Sequence, residues 1–269
     1  MNTLRSDLMN NETDKKRYTI HSIEKALDVL EILSRHEFMS LNEIAEQLSQ
    51  PKSSLYRILL TLELRGFISH NSDKGYGLGF MQLSLTRNLL EENSLRSASL
   101  PDMKKLADKY GDTVNLGVLS HGEVIYLEII EGTYPLRMTD SVGTKCPIHA
   151  TAIGKAIAAH IPEDEVRTIL QENESIQFTN NTITHTKDYM AELEQVRAKG
   201  YALDDEEQVE GARCISAPIF DMLGKVIGAI SISGTVHRFS KANIPSIARD
   251  VMKTTRNISL KRGFQHNQT

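Results

Sequence analysis

Apolar residues recur at helical spacing three times in the first 66 positions. Ile23, Ala26, Leu27, Leu30 and Leu33 mark one helix. Leu41, Ile44, Ala45 and Leu48 mark a second, opened by Ser40 with Glu43 three residues on, the spacing of a reciprocal capping box. Leu55, Ile58, Leu59 and Leu62 form the stripe of a third, with Pro51 predicted at its first helical position and Gly66 past its end. The opposite face of that third helix carries Lys52, Ser53, Ser54, Tyr56, Arg57 and Thr61. These side chains reach phosphate oxygens and base edges, as those of a helix laid in a DNA groove do. Two short β-prone runs, 67–70 and 75–78, then flank the polar turn 71–74, which includes Lys74. A hairpin directly after such a helix is a wing, and residues 18–79 read as a mainly α winged helix-turn-helix domain.

Beyond it the period changes. Residues 80–93, "FMQLSLTRNLLEEN", are predicted to be helical, with Phe80, Leu83 and Leu90 among the apolar positions. They read as a linker helix (80–94) whose spare apolar surface meets either a partner subunit or its own winged domain. A helix ending at Gly111 leads into the alternating runs "TVNLGVLS" and "EVIYLEIIE" around the turn His121-Gly122. A third strand is expected near 136–142, then the loop "GTKCPIHAT" and a small-residue helix, "ATAIGKAIAAH". An acidic-start helix after Pro162, a long helix closing at Gly200, further strands in "YALDDEEQVEGARCISAPIF" and "KVIGAISISG", and a helix over 240–261 complete the pattern. Hairpins at both ends with helices between them imply an α+β domain over 95–264, an antiparallel sheet with helices packed against it.

Composition narrows the picture further. The 269 residues suit two domains, and 40% hydrophobic with 25% charged is ordinary for a soluble protein. No apolar run approaches the ~20 residues of a membrane span, so no membrane partner is expected. The polar stretch 1–17 has no signal-peptide core and reads as a disordered arm. Two cysteines, Cys146 and Cys214, fit a reducing cytoplasm rather than a disulfide framework. Residues 1–95 hold 11 Lys and Arg against 13 Asp and Glu, so any affinity for DNA is local. With few phosphates neutralised per copy, more than one copy is expected on the DNA.

The motifs "PKSSLYRILLTLELRGFI" and "YGLG" in the first domain, with "PIHATAIGKA", "GYALDDEEQVEGARCISAPIFD" and "AISISG" in the second, resemble the IclR family of bacterial transcriptional regulators. The likeness runs over about residues 18–264. It implies an N-terminal winged helix-turn-helix, a linker helix and a GAF-like effector domain, binding operator DNA as a homodimer or dimer of dimers and sensing a small organic acid. "DDEEQVEGARCI" and Leu136-Arg137-Met138 are most similar to regulators of sugar-acid catabolism, such as the 2-keto-3-deoxygluconate repressors. By resemblance the effector pocket falls on Met138, Cys146, Ala152, Ile153, Asp204, Ala212, Cys214, Ser231 and Ser233. Cys146 and Ala212 stand where a glyoxylate-responsive member has bulkier apolar residues; the small Ala212 implies a roomier pocket and a longer acid, with Ile153 taking back some of that room.

The residues themselves also describe a pocket. Ser231 and Ser233, two apart on a strand, point their hydroxyls to one face. The start of the "ATAIGKAIA" helix offers backbone N–H groups to a carboxylate. Asp204–Glu207 reads as a solvated turn with one carboxylate free to face the pocket. Cys146, His149 and Cys214 make a poor metal set, with no paired ligand spacing, so neither metal nor cofactor is expected. No nucleophile elbow, P-loop or GxGxxG is present, which points away from an enzyme. A second reading stays open: a redox sensor in which Lys145 or Arg213 lowers the pKa of the neighbouring thiol.

Overall fold

The computed structural model describes residues 19–85 and 94–264. The expected arm (1–17), and all of the expected linker helix (80–94) but its two ends, lie outside them; 81–85 are helical. The chain separates into two compact units, Met1–Glu92 and Asn93–Thr269.

The first unit contains α1 (His21–Leu33), α2 (Leu41–Gln47), α3 (Lys52–Leu64), β1 (Ile68–Asn71) and β2 (Gly75–Leu78). Its core joins Val29, Leu33, Ile44, Leu55, Leu59, Leu62 and Ile68. The capping box at α2 forms as predicted: Ser40 N donates to Glu43 Oε2 at 2.7 Å, and Glu43 N to Ser40 Oγ at 3.3 Å. Pro51 sits one place earlier than expected. Its ψ of 130° is extended, so it is the N-cap and Lys52 the first helical residue. In α1 the packed face is Ala26, Val29, Leu30 and Leu33, while Ile23 and Leu27 lie to one side of it and are exposed. The spacing was helical, but it placed the face too far round. Gly66 takes φ +72°, a left-handed turn open to glycine without strain, and starts the antiparallel hairpin β1–β2.

In the second unit, α4 (Ser94–Tyr110) precedes β3 (Thr113–Ser120), β4 (Glu123–Ile130) and β5 (Lys145–Pro147). Then come α5 (Ala152–Ala158), α6 (Glu163–Glu172) and α7 (Thr186–Lys199). β6 (Ala202–Asp205), β7 (Ala212–Phe220), β8 (Val226–Thr235) and α8 (Ile244–Lys261) follow. The six strands form one antiparallel sheet in the order β5-β4-β3-β8-β7-β6. Side chains alternate across it. Val114, Leu116, Ile215, Ile230 and Ile232 pack against α4 and α8; Val124, Ala229 and Ala202 pack against α5, α6 and α7. Apolar burial on both faces is what holds these layers together.

The strand expected near 136–142 is absent. After β4 this segment makes no ladder: Thr113 Oγ1 donates to Met138 O at 2.9 Å and accepts from Gly132 N, and Thr133 N reaches Gly111 O. A turn with Gly143 at φ +89° then sets pairing in register at Lys145. The segment is a loop over one end of the sheet.

Candidate functional site

The polar side of α3 is open to solvent. Lys52, Ser53, Ser54, Tyr56, Arg57 and Thr61 are all exposed, while Leu55, Leu59 and Leu62 are buried beneath them. Thr61 Oγ1 donates to Arg57 O at 2.8 Å. In the hairpin turn, Asn71 Oδ1 accepts from the N–H of Asp73 and Lys74, which fixes the tip. Lys74 is exposed, its ammonium 5.4 Å from the Phe38 ring centre. The helix thus presents a continuous row of hydroxyl, phenol and cationic groups with a lysine on the adjoining hairpin.

The second unit holds a polar cluster on the sheet face that α5 covers. Cys214 pairs with Asp204 on one side and with Ser233 on the other, and Ser231 faces Asn115 across β3. Asn115 Nδ2 lies 3.4 Å from Ser231 Oγ and 3.3 Å from Ser233 Oγ. Asn115, Asp204, Ser231 and Ser233 are all buried. Cys214, between them, is half-buried. Ala152 and Ile153 open α5 above the sheet. Thr151 Oγ1 caps Gly154 N at 3.0 Å, so the N–H groups of Ala152 and Ile153 precede the first helical bond. A Cβ at residue 154 would stand 2.4 Å from Ile148 O, so glycine is what lets this turn sit so close to the incoming chain.

The curl of the sheet brings its far edge round. Cys146, on edge strand β5, has Tyr126 and Gln208, from the loop after β6, as neighbours. Met138 and Ala212 line a cavity of about 200 Å³ with Leu136, Val209 and Thr235. Of the nine residues implied by resemblance, Asp204, Cys214, Ser231 and Ser233 form one cluster. Ala152, Ile153 and Cys146 flank it, and Met138 and Ala212 lie outward.

Burial sets the protonation of this cluster. It pushes the Asp204 carboxyl up to about 6, opposed by the Glu207 N–H, which donates to Oδ1 at 2.8 Å. It also raises the Cys146 and Cys214 thiols. A reactive thiol needs the opposite shift. The cations invoked for a redox role are engaged elsewhere: Arg213 Nε donates to Asp205 at 2.7 Å, and Lys145 lies 3.8 Å from Glu123. His149 is buried with its ring nitrogen 2.9 Å from Ile176 O. Among the described residues, no three His, Cys, Asp or Glu side chains converge as metal ligands.

Residues 22–72 match the IclR helix-turn-helix domain, and residues 87–260 match the bacterial transcriptional regulator IclR C-terminal domain. The chain belongs to the IclR family. It is 33% identical to the HTH-type transcriptional regulator KdgR of Escherichia coli K12, over 96% of this chain and 98% of KdgR. It is 30% identical to the transcriptional repressor IclR of the same organism, over 91% of this chain and 90% of that protein. Among solved structures, Thermotoga maritima IclR superposes with a TM-score of 0.75 at 30% identity, covering 91% of this chain and all of that one. The protein is therefore a DNA-binding transcriptional regulator of the IclR family.

Several side chains of this regulator's polar cluster escaped the sequence reading. Asn115 was legible in hindsight as a polar residue at an inward position of "TVNLGVLS". Lys155 was the lone charge in "ATAIGKAIA"; it is wholly buried, 2.5 Å from Glu207 and 3.9 Å from Glu192. The acidic run is accordingly not a solvated turn: Asp204 and Glu207 are both inside. Tyr126, beside Cys146, carried no local signal.

Proposed function

We propose that this IclR-family protein is a repressor released or tightened by a small organic acid, a keto acid or sugar acid. The observation that carries the reading is the buried cluster of Asn115, Asp204, Ser231 and Ser233, with Cys214 between Asp204 and Ser233, on the sheet face that α5 covers. Buried polar groups are costly unless paired, and a cluster of them walled by apolar side chains is what a small polar ligand needs. The effector's carboxylate meets the N–H groups of Ala152 and Ile153, and its oxygens meet Ser231 and Ser233. Asp204 and Cys214 form the floor, with Cys146, Met138 and Ala212 at the flanks. The repressor sense rests on relatives such as the transcriptional repressor IclR.

On the DNA side, Lys52, Ser53, Ser54, Tyr56, Arg57 and Thr61 enter the major groove and Lys74 meets a phosphate. Replacing Arg57 or Ser54 with Ala weakens operator binding by about 1–3 kcal/mol where a base contact is lost. Lys74→Ala weakens all sequences alike and flattens the salt dependence. Gel-shift titrations at two salt concentrations check both, and unchanged affinity for Arg57→Ala and Ser54→Ala would overturn the assignment of α3. The protein acts as a homodimer or dimer of dimers on a palindromic operator, since one slightly acidic domain with few basic contacts binds poorly alone.

Within one chain the covalent route between effector and operator runs through residues 80–94. Effector and operator affinities are then reciprocally coupled, typically by about 1–3 kcal/mol. Calorimetry of the effector on free and operator-bound protein measures this. Equal affinities in the two states would remove the ligand as the regulatory signal.

A further inference from the structure

We infer that the effector of this pocket carries a hydroxyl group that donates a hydrogen bond to Asn115 Oδ1, making Asn115 a specificity-determining residue. The inference rests on the effector-site reading above and adds to it the chemical class of the ligand. Asn115 lies on β3, paired with Ser231 of β8, and its side chain shares the face of Ser231 and Ser233. Only 2% of it is exposed. Its amide nitrogen spans both serine oxygens, but Oδ1 is buried and without a hydrogen-bond partner. An orphaned buried acceptor is uncommon in a folded protein and calls for an explanation.

The groups around it restrict what can answer that acceptor. Asp204 also accepts, and its Oδ1 already takes the Glu207 N–H. Cys214 lies between Asp204 and Ser233 in the strand register. A ligand bearing only a carboxylate and a keto oxygen brings acceptors alone. It can take protons from Ser231 and Ser233, but it sets an oxygen against Oδ1 with no hydrogen between them. A hydroxyl resolves both demands, because it donates to Oδ1 and accepts from a serine at once. Sites that hydrogen-bond a substrate hydroxyl reject the analogue lacking it, since the site's own polar group is then left unpaired.

The test is calorimetry on the full-length protein with matched acids: pyruvate against 3-hydroxypyruvate, and propionate against lactate and glycerate. The expected result is that the best hydroxyl-bearing acid binds roughly tenfold or more tightly than its deoxy counterpart. In Asn115→Ala that preference falls to within about twofold, while the deoxy acid keeps its affinity. Acids that bind without regard to the hydroxyl, or a preference that survives Asn115→Ala, would overturn the inference and leave the effector site standing. If none of the acids, nor gluconate as a longer sugar acid, binds, the effector-site reading itself fails and takes the inference with it. An ammonium group also donates, so L-alanine is run beside lactate; tighter binding of alanine would overturn the hydroxyl assignment. If Asn115→Ala loses its cooperative melt, the wild-type series decides alone.

Discussion

Replacing Lys155 with Met lowers the stability of the C-terminal unit by about 3–5 kcal/mol, the range for breaking a buried ion pair from one side. The ammonium is wholly buried, 2.5 Å from Glu207 Oε1. Glu207 depends on it: burial pushes that carboxyl up, Lys155 holds it down, and Oε2 has no partner of its own. Without the lysine, Glu207 is either an unpaired buried charge or a protonated acid forced to give up its ionisation. The change also reaches the proposed effector floor, because Glu207 N donates to Asp204 and Glu207 O accepts from Thr182 Oγ1 at 2.6 Å. The measurement is a urea midpoint at unchanged slope. Lys155→Met combined with Glu207→Leu recovers most of the loss, since an apolar pair fills the volume with no charge left over. A single variant within about 1 kcal/mol of the parent, an ordinary surface effect, would show that the pair has no such weight.

The second large effect has the opposite sign. Asp204→Asn stabilises the protein at pH 7.5 by about 2–3 kcal/mol, and the gain vanishes near pH 4. The Asp204 carboxyl is raised from 3.8 to about 6, chiefly by burial. A raised acid pKa means the fold disfavours the ionised form. That penalty is fully present above pH 6 and is relieved as the folded state takes up its proton between pH 6 and 4. A shift of about two units corresponds to about 3 kcal/mol. Asparagine is never ionised and keeps an oxygen for the Glu207 N–H. Thermal melts of parent and variant from pH 4 to 8 isolate the difference, since every other group titrates in both. A constant gap across that range would show that ionisation of Asp204 is not its source. A carboxylate kept at such a cost is what a functional site looks like.

Much of the fold was legible because it rests on short-range patterns. Ser40 and Glu43 announced the cap of α2, and the apolar run "EVIYLEIIE" after the turn His121-Gly122 announced β4. The failures have physical causes. The residues 136–142 carry apolar side chains that suggest a strand, but Met138 O is taken by the Thr113 hydroxyl and Ser141 by a turn to Thr144, which no local pattern reveals. The acidic run 204–207 looks solvated until Lys155, 52 positions before Glu207, is seen to pair with it. At the candidate site the serines and Cys214 were visible from spacing on one strand and resemblance to a family. Asn115 and Tyr126 joined them only through the curl and register of the sheet, which are properties of long-range pairing.

The alternation of side chains along β3 and β8 has a consequence for how such proteins diversify. Asn115, Ser231 and Ser233 point to one side, while Val114, Leu116, Ile230 and Ile232, their immediate neighbours in sequence, belong to the packing of α4 and α8. A mutation that retunes the proposed effector site therefore leaves the opposite layer untouched, and drift in that layer leaves the chemistry of the proposed site intact. Selection can then act on the two sides of a single strand as on two separate traits, so that a lineage of regulators acquires new signals without rebuilding its scaffold.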